Sequence, residues 1–216
     1  MFGITLDSET VYRLAAVAIF LLVGFPVHEF AHAWTANRLG DGTARLFGRL
    51  SLNPAVHFDP LGAGVLALTA LFSPFIIGWA KPTPVNPVNL RGGRTGEAWV
   101  AAAGPLTNLA MAVVGGLVFR AIIAMQPEYS QLAAFVVNVT YYFVAINVIL
   151  FVFNFIPVPP LDGSKVLFAF LPPRLIWQIH QALDQWGLLI VIVLLVVAGQ
   201  LIAGPVYALI DFLVGF

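Results

Sequence analysis

His28-Glu29-Phe30-Ala31-His32 closes an apolar stretch that runs from Tyr12 to Trp34, YRLAAVAIFLLVGFPVHEFAHAW. A helix that spans a membrane needs about 20 mostly apolar residues, and this stretch is long enough to form one. At helical spacing His28 and His32 lie one turn apart on the same face, so both imidazoles can reach one ion. Glu29, beside them, can meet a water at that ion. The H-E-x-x-H pattern therefore predicts a zinc site within a membrane helix.

The composition identifies the class of protein around this motif. Of the 216 residues, 60% are hydrophobic and 9% are charged, with a mean hydropathy of +0.94. Soluble domains carry about 25% charged residues, so we expect an integral membrane protein. Ten basic residues balance ten acidic ones, which argues against nucleic acid as a partner. The chain has no cysteine, so histidines and carboxylates must hold any metal.

The apolar stretches predict an all-α polytopic membrane protein with about four to six transmembrane helices. Its first span lacks the basic start and cleavage site of a signal peptide and is read as a retained helix. Three further stretches reach spanning length: Ala98 to Met125, Leu132 to Phe153 and Trp186 to Ala203. We expect residues 1–216 to form a single membrane-embedded domain. The sequence leaves open whether the region 186–216 crosses the membrane once or twice.

Two polar stretches, Arg38 to Pro60 and Lys81 to Gly96, are rich in Pro, Gly and Asn and too irregular for helices. Within them, Arg45 to Leu52 alternates loosely enough for a short strand, and Pro82 to Asn89 reads as extended. We therefore expect a short membrane-associated β element beside the helices.

A third metal ligand must come from elsewhere, because a catalytic zinc takes three protein ligands and leaves one position for water. Thr35 and Arg38 stand where a metzincin has Gly and His, which excludes that continuation. Asp162 lies at the end of an apolar span, after prolines that break the helix and can bring a carboxylate into the membrane. The other candidates are Asp41, His57, Asp59, Glu97 and a few exposed acids.

The chain resembles the site-2 proteases, which are intramembrane zinc metalloproteases, over most of its length. The resemblance lies in HEFAH, AGPLTN (Ala103 to Asn108) and NFIPVPPLDG (Asn154 to Gly163), and LNPAVHFDP (Leu52 to Pro60) is similar to the compact members, which lack a PDZ or CBS domain. The resemblance implies His28, His32 and Asp162 as ligands of one Zn²⁺ per chain. It implies Glu29 as the general base, Asn154 as the residue that steadies the oxyanion, and membrane-anchored proteins as substrates.

Three other polar residues lie outside this set. Asn108 either shapes the substrate-binding cleft or belongs to a helix-packing motif with its small neighbours. We expect His57 to make a structural hydrogen bond in its loop, although the resemblance does not define its role. His180 lies in an amphipathic stretch and is expected at the membrane interface.

The motifs also constrain the topology, because the HEFAH helix and Asp162 must meet at one depth. They meet only if the weaker apolar window Leu61 to Trp79 is re-entrant or interfacial. Eight of the ten basic residues then lie on one side: Arg38, Arg45, Arg49, Lys81, Arg91, Arg94, Lys165 and Arg174. The positive-inside rule makes that side cytoplasmic, with the active site toward it and the N-terminus outside a cell membrane.

Two rival functions use the same residues. A transporter or metal-handling protein can coordinate a moving ion with intramembrane His and Asp, but such carriers commonly show paired repeats, and none is visible here. An inactive relative would only bind transmembrane segments, yet Glu29, both histidines and Asp162 are present. Hydrolysis of peptide bonds in or near transmembrane segments is therefore favoured. The sequence does not specify the natural substrate, the cleavage-site preference, a regulatory partner or the oligomeric state.

Overall fold

The computed structural model describes residues 7–72, 81–125 and 130–215, and these residues form helices joined by loops and turns. In chain order the α-helices are α1 (Ser8–Ile19), α2 (Phe25–Arg38), α3 (Thr43–Leu46), α4 (Pro54–His57), α5 (Pro60–Phe72), α6 (Arg94–Ala124), α7 (Gln131–Asn154), α8 (Asp162–Phe168) and α9 (Pro173–Val214). A π-helical turn (Phe20–Gly24) joins α1 to α2, and a 3₁₀ turn (Pro87–Asn89) precedes α6.

The first membrane helix is continuous from α1 to α2 and widens just before the HEFAH motif. Asp7 caps its start by accepting a hydrogen bond from the Thr10 amide at 2.8 Å. Pro26 lacks an amide donor, and its ring would clash with the carbonyl four residues earlier in a regular α-helix. That carbonyl belongs to Leu22, inside the π-helical turn, where the wider backbone makes room for the ring.

Three helices in the described part of the chain are long and apolar enough to cross a membrane: Ser8–Arg38, Arg94–Ala124 and Gln131–Asn154. A shorter apolar segment, Gly199–Val214, lies in α9. The prediction of an all-helical membrane protein is thus confirmed, although fewer helices meet the spanning criteria in these residues than the four to six expected.

Helix α9 contacts α6, and two arginines of α6 bond to the backbone near the two ends of α9. Near its start Arg94 of α6 donates to the Leu171 carbonyl, and at its end the Arg120 Nε donates to the Leu213 carbonyl at 2.7 Å. Arg94 and Arg120 lie at opposite ends of α6, and α9 is one helix that contains Pro205. Residues 173–214 therefore form one helix that does not turn back at Pro205.

The weaker apolar window does not form a span in the described residues. Helix α5 has 13 residues and a length of about 20 Å, against about 30 Å for the hydrocarbon core. The Lys81 amide donates to the His57 carbonyl at 3.1 Å, so the chain returns to the place where it left. This closure favours the re-entrant or interfacial arrangement, although residues 73–80 of the window lie outside the described residues.

The predicted β element is wrong, because the structure forms no strand within residues 7–72, 81–125 and 130–215. In the Arg45 to Leu52 stretch the chain instead leaves the one-turn helix α3 and closes a turn at Gly48, whose φ is +68°. Pro82 to Asn89 has no regular secondary structure as far as residue 86, where Asn86 is extended and the 3₁₀ turn follows. Its prolines lack amide donors for a ladder, and side chains take the amides of Thr83 and Asn86.

Helix α6 occupies the centre of the bundle, in contact with α2, α7, α8 and α9. Small residues on α6 allow the other helices to approach closely, as at Gly116, where an added Cβ would lie 2.9 Å from the Leu213 carbonyl oxygen. The apolar core between α6, α7 and α9 consists of Ala112, Phe119, Val144, Val148, Val206, Ile210, Leu213 and Val214. This packing leaves the opposite end of α6 facing the HEFAH helix.

Candidate metal centre

Three side chains from distant parts of the sequence converge at α6. His28 and His32 come from α2, and Asp162 is the first residue of α8. Their ligand atoms are separated by 3.1 Å (His28 Nε2 to His32 Nε2), 3.7 Å (His28 Nε2 to Asp162 Oδ2) and 3.3 Å (His32 Nε2 to Asp162 Oδ2). Both histidines are buried, and Asp162 is partly buried. The residues predicted as metal ligands are thus brought together.

These separations fit a zinc ion. Ligands bound at 2.0 to 2.2 Å in a tetrahedron lie about 3.3 to 3.6 Å apart, and the three measured distances bracket that range. Two imidazole nitrogens and one carboxylate oxygen are a ligand set that zinc accepts. With three protein ligands, the fourth position of the tetrahedron stays open for water or substrate.

A backbone carbonyl of α6 orients His32. The His32 Nδ1 lies 2.7 Å from the Val100 carbonyl oxygen, which accepts only, so the proton of the neutral ring belongs on Nδ1. The lone pair is then on Nε2, the atom nearest Asp162. Support of this kind fixes the tautomer and the ring orientation of metal-binding histidines.

Gly104 explains why α6 approaches the two histidines so closely. A Cβ built on Gly104 would overlap the imidazole of His32 and would lie 2.6 Å from Cε1 of His28. Only glycine leaves room for both rings. The glycine of the AGPLTN motif thus forms one wall of the metal centre.

Asn108 lies one turn beyond Gly104 on α6 and beside His28. Its side chain is buried, and its amide atoms, like Nδ1 of His28, form no hydrogen bond to other described residues. Asn108 therefore lies beside one of the proposed metal ligands. A role in binding substrate stays a prediction.

Asn154 is the last residue of α7, eight residues before Asp162 in sequence. Its amide nitrogen donates to the Leu150 carbonyl at 3.0 Å, within its own helix. The amide must leave this bond before it can donate to an oxyanion. Its proposed role therefore stays a prediction.

Glu29 is buried, and its carboxylate is hydrogen-bonded by Thr83. The Thr83 hydroxyl lies 2.7 Å from Glu29 Oε2, and the Thr83 amide lies 3.2 Å from the same oxygen. Sequence reasoning missed Thr83. The only local signal was its position among prolines in an extended stretch, which does not indicate a partner 54 residues away.

The other candidate ligands have different partners. His57 is buried and its Nε2 lies 2.8 Å from the Ser51 carbonyl, which is the loop hydrogen bond expected of it. Asp59 accepts a bond from the Gly62 amide.

Asp41, buried after the end of α2, accepts hydrogen bonds from Thr43, Asn86 and Asn89. Burial raises the pKa of Asp41, but these hydrogen bonds outweigh burial and hold the pKa below its usual value. Asp41 is therefore an ionised structural carboxylate that fastens residues 86–89 to the end of the HEFAH helix.

Comparison with known proteins finds relatives whose names describe zinc metalloproteases. A Bacillus subtilis (strain 168) protein named "Putative zinc metalloprotease YwhC" is 38% identical over 83% of this chain and 80% of its own length. "Putative zinc metalloprotease Rip2" of Mycolicibacterium smegmatis is 32% identical over 88% of this chain and 72% of its own length. The Mycobacterium tuberculosis (strain H37Rv) protein of the same name is 31% identical over 78% and 64%. No solved structure matches the chain.

A family model covers most of the sequence as well. Residues 15–198 match the model described as Peptidase family M50, and the matched region contains His28, Glu29, His32 and Asp162. The match confirms the resemblance to the site-2 proteases. Its coverage, together with relatives above 30% identity, establishes that the chain belongs to peptidase family M50.

Proposed function

We propose that the protein is a zinc metalloprotease that hydrolyses peptide bonds within or near transmembrane segments of membrane-anchored substrates. The observation that carries the proposal is the set of three ligand atoms at zinc spacing, next to a buried glutamate, on helices of a membrane protein. The names of the relatives and the family support the same chemistry. His28, His32 and Asp162 are the proposed ligands.

When bound, zinc lowers the pKa of a water and polarises the scissile carbonyl. Glu29 takes the proton of the attacking water and passes it to the leaving amine. Asn154 releases Leu150 and donates to the developing oxyanion. Asn108, buried next to His28, borders the cleft in which the substrate backbone lies.

The bilayer adds a requirement to this chemistry. A transmembrane helix keeps its amides in internal hydrogen bonds, so the substrate must unwind locally before cleavage. An unwound backbone in lipid needs hydrogen-bonding partners. Residues 81–86 lie at Glu29 through Thr83, and their backbone carbonyls are proposed to accept hydrogen bonds from the amides of the unwound substrate.

We further propose that the protein lies in the cell membrane with its N-terminus outside and its metal centre toward the cytoplasm. The closure between His57 and Lys81 supports two crossings, α6 and α7, between the HEFAH helix and Asp162. Under that topology the eight basic residues named above share the cytoplasmic side.

Single cysteines test this orientation, because the chain has no cysteine of its own. Gln131 is exposed at the start of α7, and Val88 is exposed in the 3₁₀ turn on the proposed cytoplasmic side. An impermeant thiol reagent applied to intact cells is expected to label Gln131→Cys, and Val88→Cys only after permeabilisation. Gln131 is preferred to Ser130, whose side chain caps α7. The opposite labelling pattern would refute the orientation.

Asp162→Ala tests the proposed function and the third ligand together. A tagged transmembrane substrate coexpressed with the parent chain is expected to yield a cleaved product, and coexpression with Asp162→Ala is expected to yield none. Loss of one ligand leaves two imidazoles, so zinc in the purified variant should fall well below one ion per chain. An uncleaved substrate with the zinc-loaded parent would favour a metal-handling role, and full zinc content in the variant would remove Asp162 from the site.

A further inference from the structure

The segment Lys81 to Arg91, here called the strap, runs along the HEFAH helix and the loop that follows it. The strap is fastened at both ends and in the middle by contacts with residues 29–57. The contacts are Lys81 N to His57 O (3.1 Å), Thr83 to Glu29, Asn86 N to Asp41 Oδ2 (2.7 Å), Asn89 Nδ2 to Asp41 Oδ1 (3.1 Å) and Arg91 N to Leu39 O (2.8 Å).

Thr83 is the member of the strap that reaches the active site. Its hydroxyl and its amide both approach one carboxylate oxygen of Glu29, Oε2, at 2.7 and 3.2 Å. The hydroxyl also lies 3.2 Å from the Glu29 backbone carbonyl. The side chain of the proposed base is therefore held against its own backbone by one residue.

A general base works only when its oxygen lies within hydrogen-bond reach of the proton that it removes. The glutamate side chain has three rotatable bonds, and ordering it during the reaction costs entropy. Two donors on Oε2 remove most of that freedom and leave Oε1 to take the proton. Hydrogen bonds to an ionised carboxylate are stronger than those between neutral groups. The bond from Thr83 is therefore suited to fix the direction of the Glu29 carboxylate.

The strap places these donors independently of Glu29. Asp41 binds Asn86 and Asn89, and the His57 and Leu39 carbonyls bind the two ends. Since these anchors lie outside the metal centre, Thr83 is already in position before substrate arrives. Catalytic groups that are held in advance avoid reorganisation in the transition state.

We propose that Thr83 is a positioning residue that orients the carboxylate of Glu29 through its hydroxyl and amide. The proposal rests on the proposed function, in which Glu29 is the general base. The proposal predicts a change in turnover without a change in zinc binding. Within the described residues, Thr83 forms its hydrogen bonds with Glu29 and with none of the three proposed metal ligands.

The test compares two substitutions at Thr83 in the purified protein with a transmembrane peptide substrate. Thr83→Val keeps the shape and removes the hydroxyl, and we expect kcat to fall by about tenfold to a hundredfold with KM unchanged. Thr83→Ser keeps the hydroxyl and should restore kcat to within about threefold of wild type on the same grounds. The matched control is Thr140→Val, whose hydroxyl donates to the Val136 carbonyl of its own helix and which should leave kcat unchanged.

Hydrogen exchange tests the contact without relying on activity. The Thr83 amide needs an acceptor at position 29, so Glu29→Ala should speed exchange in a peptide that covers residues 81–86. Glu29→Gln keeps an oxygen acceptor and should leave that exchange near the wild-type rate. Zinc content of Thr83→Val is measured in parallel and should match wild type, and thermal unfolding checks that the variant is folded at the assay temperature.

The outcomes separate this proposal from the proposed function. Wild-type kcat in Thr83→Val, a slow Thr83→Ser, or loss of zinc in Thr83→Val would each overturn the positioning role. Unchanged exchange in Glu29→Ala would overturn the contact itself. Cleavage by Glu29→Gln at the wild-type rate would instead remove Glu29 as the base and defeat the proposed function.

Discussion

Glu29→Gln is expected to lower the cleavage rate of a transmembrane substrate by roughly 10² to 10⁴-fold, the range that a general base contributes. The amide of glutamine has nearly the shape of the carboxylate but cannot take a proton from water. It still offers Thr83 an oxygen acceptor, so the strap keeps its contact at this position. His28, His32 and Asp162 are untouched, and zinc content and thermal unfolding should stay at the wild-type level.

The measurement pairs initial cleavage rates of the purified protein in detergent or liposomes with metal analysis of the same samples. Glu97→Gln is the matched control, because Glu97 lies in the first turn of α6 and makes none of the contacts of the metal centre. A variant that keeps zinc and still cleaves at the wild-type rate would show that another group removes the proton.

Gly104→Ala is expected to disrupt the metal centre although residue 104 has no side chain that binds metal. The new methyl group would occupy space held by the imidazoles of His32 and His28, so at least one ring must move. Displacing residues that support metal ligands typically costs 10 to 100-fold in metal affinity, and the effect here should be about that large or larger. Cleavage should fall in parallel, and added zinc should restore part of it.

Zinc affinity is measured by competition with a chelator, with Gly187→Ala as the control. Gly187 lies in α9, and a Cβ there meets nothing within 4 Å, so this substitution should leave affinity unchanged. Wild-type affinity in Gly104→Ala would mean that α6 can withdraw from the histidines without cost. The close approach of α6 would then not be part of the metal centre.

Local sequence pairs two of the three proposed metal ligands, and the family resemblance implies the third. His28 and His32 are paired by the helical repeat alone, and scarcity of charge makes any ionisable group in a membrane helix informative. Asp162 was singled out by the prolines that end the preceding span, together with a family resemblance. The all-helical class followed from the length of the apolar stretches.

The missed features depend on contacts between distant residues. Thr83 reaches Glu29 across 54 residues, and nothing near Thr83 in sequence indicates that contact. The prediction of a β element was wrong because it rested on loose alternation in Arg45 to Leu52 and did not account for the turn at Gly48. The φ of +68° at that turn favours glycine. The bond between Asn154 and Leu150 is local, yet no pattern separates an asparagine that bonds its own helix from one that faces a substrate.

The hydrogen bond from the Lys81 amide to the His57 carbonyl brings together the two residues that flank the segment 58–80. Both flanks of this segment are held in place, because His57 is hydrogen-bonded to Ser51 and the strap is hydrogen-bonded to Asp41. Insertions or deletions within the segment 58–80 need not change the position of Thr83 relative to Glu29. The length of the segment 58–80 can therefore vary independently of the proposed catalytic chemistry, and a related enzyme can change that length while it keeps Glu29 and Thr83 in place.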